Sequence, residues 1–189
     1  MNIETQIHLN KFKARPYQMP ICDAIEKDKF RRVLAIWPRR SGKDLLAFQL
    51  CIRSALRKTQ TIFYVFPTFA SGRRILWDAI TSEGQRVLDY CPEDIATRNE
   101  QQMRLRFING SVIQIVGSND FNHSLVGTNP QFIVFSEYSL QDPRAYQFAR
   151  PILTANGGVA LFLSTPTWTQ SFMGSLRDCS AQPKGLVYF

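Results

Sequence analysis

Four short runs, apolar at nearly every position, narrow what this chain can fold into: Arg32–Trp37 (RVLAIW), Thr61–Phe66 (TIFYVF), Gln131–Phe135 (QFIVF) and Val159–Leu163 (VALFL). A strand with one solvated face alternates apolar and polar residues. These runs do not alternate, so both of their faces must be covered, as in parallel sheets. Between them the spacing turns helical. Lys43–Arg57 places Leu45, Leu46, Phe48, Leu50, Ile52 and Leu56 at helix-face intervals. Helices are also predicted over Tyr17–Lys29, after Pro16, and over Phe69–Ile80 and Pro143–Leu153. Buried strands separated by helices specify an α/β fold: a mostly parallel central sheet flanked by helices. The middle of the chain departs from this pattern. Arg104–Ile108 alternates, Asn109-Gly110 follows, and Val112–Val116 resumes a strand, which reads as an antiparallel hairpin near 104–116. Leu186–Phe189 starts one more strand.

The 189 residues suffice for one compact domain, read as 1–189. At 44% hydrophobic and 20% charged, the composition is that of a globular protein. No apolar run approaches membrane-spanning length, and Met1–Gln6 lacks the layout of a signal peptide. Cys22, Cys51, Cys91 and Cys179 are scattered, with no C-x-x-C pair, which argues against zinc and for a reduced, cytosolic compartment. The formal charge is +8, with arginine doublets at Arg31-Arg32, Arg39-Arg40 and Arg73-Arg74. Such an excess suits a polyanionic partner or a solubilising surface, and charge alone does not choose between them.

In parallel sheets the chemistry gathers where strands end and loops begin. The first apolar strand runs into Pro38-Arg39-Arg40-Ser41-Gly42-Lys43-Asp44 and then into a helix. A phosphate site needs backbone N–H groups, a helix N-terminus and a cation. Ser41 and Gly42 can let the backbone curl, and Lys43 can reach the phosphates. The loop departs from G-x-x-x-x-G-K-[ST] at both ends, where Trp37 and Asp44 stand. Asp44 either binds magnesium, directly or through water, or merely complements the helix dipole. Arg39 or Arg40 can stabilise charge on a transferring phosphoryl group, or pair on the surface.

The third apolar strand delivers Ser136-Glu137 at its end. Glu137 is placed to orient or deprotonate water. The residue before it, where a magnesium-binding Asp is common, is Ser136. Asp44 and Ser136 therefore read as an exchange of magnesium-shell roles across one site. Ser164-Thr165-Pro166 closes the next strand, where small hydroxyls can sense a γ-phosphate or simply end the strand. Arg15-Pro16-Tyr17-Gln18 precedes the first helix. Tyr17 can stack on adenine and Gln18 can read its edge, although a tyrosine at a helix start is more often core.

Taken in order, these segments resemble the ATPase domain of the tailed-phage terminase large subunit. The matching stretches are Arg15–Gln18, Pro38–Asp44, Phe66-Pro67-Thr68, Leu125-Val126-Gly127 through Tyr138, and Leu163–Pro166. The resemblance implies an additional-strand (ASCE) P-loop NTPase core that uses ATP and Mg2+. It also implies a homo-oligomeric ring around double-stranded DNA, with a portal protein and a small terminase subunit as partners, in the host cytoplasm. Many terminases carry an arginine before the glycine at Gly127; here Val126 stands there, and the trans-acting arginine is left unassigned. Large terminases also carry a nuclease domain. The sequence shows no carboxylate cluster suited to one, so the expected unit is the ATPase part of a longer chain, without DNA cleavage. A helicase-like DNA-dependent ATPase, an inactive nucleotide-binding prophage remnant or scaffold, and a plain basic DNA-binding module are the competing readings.

Overall fold

The computed structural model describes residues 12–166 and 187–188. Among these, one sheet contains β1 (Arg32–Ile36), β2 (Thr61–Phe66), β3 (Ala96–Asn99), β4 (Arg104–Phe107), β5 (Val112–Gly117), β6 (Pro130–Phe135), β7 (Val159–Ser164) and β8 (Val187–Tyr188). The order across it is β3-β4-β5-β2-β6-β7-β1-β8. Every pairing from β5 to β8 is parallel. Strands β3 and β4 add an antiparallel edge. The α-helices are α1 (Met19–Glu26), α2 (Lys43–Arg57), α3 (Phe69–Gly72), α4 (Phe121–Leu125) and α5 (Arg144–Asn156).

Strand side chains point alternately to the two faces, and the core divides accordingly. Val33, Ala35, Ile62, Tyr64, Phe66, Phe132, Val134, Leu161 and Leu163 face α1 and α2. Leu34, Phe63, Val65, Ile133, Phe135, Ala160 and Phe162 pack with Phe121 of α4 and with Tyr146, Ala149 and Leu153 of α5. That double burial is why the four apolar runs carry no polar alternation. Each large apolar side chain buried this way contributes roughly 1.5–3 kcal/mol. The sum far exceeds the cost of a few strained backbone positions at the sheet's edge.

Because β1, β2, β6 and β7 are parallel and in register, their C-terminal ends share one edge. Ile36 lies beside Ser164, and Val65 beside Phe135. The residues that follow these strands, at 37, 136 and 165, are thereby brought together from distant parts of the chain.

The hairpin forms as its sequence predicts. Gly110, at φ +85°, donates its N–H to Phe107 O at 2.9 Å, a backbone conformation that favours glycine. Two regions differ from the sequence expectation. The helix predicted over Phe69–Ile80 is regular only to Gly72 and widens into a π turn at Arg73–Trp77. Asp78 N–H bonds Arg73 O at 2.8 Å. Leu76 and Trp77 within this turn are both fully buried, and the Trp77 indole N–H donates to the Glu100 carboxylate. Burying two adjacent bulky side chains this way overrides the regular helical period. Strand β3 has no counterpart in the sequence reading, because Ala96-Thr97-Arg98-Asn99 has no apolar run. It is an edge strand, registered on β4 with Ala96 opposite Phe107.

Candidate active site

The loop after β1 is braced from below. Trp37 donates its N–H to Ser164 O at 3.0 Å, which carries the β1–β7 pairing one residue further. Its ring is buried and meets Tyr17 edge-on at 5.4 Å. Tyr17 OH donates to Ser41 O at 2.6 Å, and Gln18 Nε2 donates to the same carbonyl at 3.1 Å. Gln18 Oε1 in turn accepts the Arg15 N–H at 3.0 Å, and Arg15 Nη1 donates to Tyr17 OH at 2.9 Å. The segment Arg15–Gln18 thus holds the loop backbone. Gln18 is buried, with its amide bonded to the loop carbonyl and to the Arg15 N–H, and it also lines the cleft beside Gly42.

Two residues of the loop are left-handed, Arg40 at φ +64° and Gly42 at φ +76°. Gly42 caps α2 in a conformation that L side chains rarely adopt, and an added Cβ would sit 3.3 Å from Gln18 Nε2. Ser41 Oγ is buried with no hydrogen-bond partner among the described residues. Buried hydroxyls are normally satisfied, so this atom marks unmet polar capacity at the head of a helix. Pro38, Arg39 and Arg40 are exposed. Neither arginine makes an ion pair or hydrogen bond among the described residues.

Behind the loop lies a charged cluster. Lys43, only 5% exposed, forms an ion pair with Glu137 Oε1 at 2.9 Å. Thr165 Oγ1 donates to Glu137 Oε2 at 2.9 Å and lies 3.4 Å from Lys43 Nζ, within donating distance. Glu137 comes from the turn after β6 and adopts φ +51°, ψ +48°. A left-handed non-glycine residue costs on the order of 1–3 kcal/mol, and such strain concentrates at functional sites. Here it directs a carboxylate back over the end of the sheet. Gln141 stabilises that turn, donating from Nε2 to Ser136 O at 2.7 Å and to Val65 O at 2.9 Å. Ser164 is buried at the end of β7, with its hydroxyl on Thr165 O at 3.2 Å, and Pro166 follows exposed.

One residue into α2, Asp44 is held by the strands beneath it. Ser136 Oγ donates to Asp44 Oδ1 at 2.5 Å and Tyr64 OH donates to the same oxygen at 3.1 Å. Burial pushes the Asp44 carboxyl above its usual range, opposed by the Ser136 hydroxyl and then by the Lys43 charge. Burial also drives the Tyr64 phenol well up, reinforced by the Asp44 charge. Asp44 and Ser136, read from the sequence as exchanging magnesium-shell roles, are in direct contact. A carboxylate bonded to a neighbouring hydroxyl offers oxygen donors of the kind magnesium accepts. The residues present fit that ion.

A cleft of about 180 Å3 adjoins Gly42 and is lined by Phe12, Arg15, Gln18, Leu45, Glu83 and Tyr90 among others. A larger hollow, about 470 Å3, runs along Phe63, Val112, Gln114 and Gly117, and none of Lys43, Asp44, Ser136 or Glu137 lines it. Val126 is 79% exposed, beside Gly127 at φ +73°.

Sequence reasoning missed two members of this arrangement, Tyr64 and Gln141. Tyr64 carries a hydroxyl in the interior of an apolar strand, which was a usable signal. Gln141 lies in a turn whose shape no local pattern announces.

A left-handed glycine heads α2 after a parallel strand, and the lysine that follows pairs with a carboxylate from the end of another parallel strand, within a sheet of the additional-strand phosphate-loop fold. No family model matches the chain. It is 27% identical over 161 residues to the terminase large subunit of Escherichia phage T5, covering 82% of this chain and 35% of that protein. The chain thus spans about a third of that relative's length. The large terminase ATPase domain of Thermus phage P74-26 superposes with a TM-score of 0.67 at 18% identity, covering 90% of this chain and 72% of the other. The large terminase of another thermophilic bacteriophage, solved with ATP-γ-S, gives a TM-score of 0.59 at 12% identity, over 98% of this chain and 43% of the other. In sequence and in fold the chain resembles the ATPase domain of phage large terminases.

Proposed function

We propose that this chain is the ATP-hydrolysing motor domain of a viral DNA-packaging terminase, coupling Mg2+-ATP hydrolysis to movement of double-stranded DNA into a procapsid. The observation that carries the reading is the convergence of Lys43, Glu137 and Thr165 at the head of α2. Support also comes from the T5 relative and from the thermophilic-phage terminase solved with an ATP analogue.

The chemistry follows from the residues. The first-turn N–H groups of the 15-residue helix α2, with its dipole, attract the phosphates. Lys43 is the buried cation for them, and it leaves Glu137 when a stronger anion arrives. Glu137, released from the lysine, orients and deprotonates the attacking water. Thr165 bonds Glu137 and lies within reach of Lys43, so it registers which partner the lysine holds and passes that state into β7. Arg39 and Arg40 supply positive charge from the exposed loop. Asp44 and Ser136 would hold magnesium, which when bound neutralises phosphate charge. Duplex DNA is the substrate of movement, and the basic excess of +8 suits it. A homo-oligomeric ring, a portal protein, a small terminase subunit and the host cytoplasm complete the proposal.

Mg2+-dependent ATP turnover with and without duplex DNA tests it. Wild-type protein hydrolyses ATP, whereas Glu137→Gln loses about 100-fold or more of the rate yet still binds nucleotide. Full turnover by Glu137→Gln would remove Glu137 from the mechanism. Separation of a forked duplex, instead of movement along intact duplex, would favour the helicase-like reading.

A further inference from the structure

We infer that Tyr64 is a positioning residue for Asp44: with Ser136, it secures one carboxylate oxygen and leaves the other available to a divalent cation. The inference rests on the nucleotide site proposed above and adds a residue to it.

Tyr64 sits in the middle of β2, flanked by Ile115 of β5 and Val134 of β6, and it is fully buried. Its ring stacks on Phe66, with centroids 4.9 Å apart and planes 9° apart. Phenylalanine would fill this layer equally well, so the hydroxyl calls for a separate reason. A buried phenol must find a partner. This one finds Asp44 Oδ1 at 3.1 Å, with a weaker approach to Asp44 O at 3.3 Å. Ser136, also fully buried, donates to the same Oδ1 at 2.5 Å.

One donor lies in β2 and the other directly follows the neighbouring strand β6, and they meet at Asp44 in the first turn of α2. Both bond Oδ1, and Oδ2 makes no hydrogen bond among the described residues. An acid that served only the helix dipole would face solvent and need no donors from the sheet. Asp44 instead is bonded on one side and free on the other, as a ligand with a fixed orientation must be. The arrangement also accounts for an aspartate in the usual hydroxyl position. A carboxylate there is only partly solvated and needs donors beneath it, which Tyr64 and Ser136 provide.

The test measures binding, not turnover. The affinity of a fluorescent, slowly hydrolysed ATP analogue is followed by anisotropy at saturating Mg2+ and again in EDTA. In Tyr64→Phe the Mg2+-dependent gain in affinity should shrink about tenfold, while affinity in EDTA stays within about twofold of wild type. Tyr64→Phe combined with Ser136→Ala should erase the gain. A wild-type gain in Tyr64→Phe overturns the inference, and so does an equal loss in both conditions, which marks a purely structural tyrosine. If Tyr64→Phe lacks a cooperative thermal transition, Tyr64→Met, which also lacks the hydroxyl, is held to the same criterion. Lys43→Ala, measured in EDTA, reports on the nucleotide site independently. Loss of binding there with no Tyr64 effect would reject this inference and leave the site standing.

Discussion

The two ends of α2 are built in opposite ways. At its C-terminal end the last carbonyls are closed off by side chains from the hairpin and its flank. Ala55 O accepts from Asn109 Nδ2 at 2.7 Å and from Ser111 Oγ at 2.8 Å, and Ser54 O accepts from Gln60 Nε2 at 2.7 Å. The N-terminal end carries a buried hydroxyl without a partner among the described residues, a left-handed glycine, a buried lysine and a partly buried acid. One end is finished by the chain itself. The other leaves polar capacity unmet among the described residues, with Lys43 paired to Glu137. Ligand sites are expected at the unfinished end of such a helix, because there binding adds hydrogen bonds that folding left unmade.

Substitutions at the two ends should separate ligand binding from stability. The largest effect is expected from Lys43→Ala, which removes the only cation in the buried cluster among the described residues. Equilibrium titration with an ATP analogue should show affinity falling about 100-fold or more, in line with the several kcal/mol of a desolvated charge contact. Next comes Asn109→Ala with Ser111→Ala at the closed end. Losing both donors to Ala55 O should cost about 2 kcal/mol, seen as a lower thermal midpoint, with nucleotide affinity unchanged. An accompanying fall in affinity would mean that the two ends are coupled.

The smallest effect concerns Asp44 without ligand. Its carboxyl is raised above the ordinary value of 3.8, chiefly by burial. The folded chain therefore holds this proton to higher pH than the unfolded chain does. Stability from this group is full below the ordinary value and declines as pH rises through the raised one. Asp44→Asn should raise the thermal midpoint by a few degrees at neutral pH and flatten its pH dependence, while weakening the response to Mg2+. A lower midpoint at neutral pH would contradict the assigned burial.

The sheet was legible in the sequence because burial on both faces leaves an unmistakable composition: RVLAIW, TIFYVF, QFIVF and VALFL all became parallel strands. Helix α2 and the Asn109-Gly110 hairpin followed for similarly local reasons. The π turn at Arg73–Trp77 was not legible, since it depends on how Trp77 fits against the core and Glu100. Within the site, the nearness of Asp44 and Ser136 could be reasoned from chemical complementarity. That Tyr64 joins them, and that Gln18 braces the loop, depends on the registry of separate elements. No spacing along the chain encodes that registry.

The decisive comparison is the affinity of Lys43→Ala and of Glu137→Gln for the same ATP analogue under the same conditions. If Lys43 is held in reserve by Glu137, removing the carboxylate charge frees it. Glu137→Gln should then bind at least as tightly as wild type, and up to several-fold tighter, while Lys43→Ala binds negligibly. Equal weakening in both variants would show instead that the ion pair serves the fold, and that phosphate does not compete for the lysine.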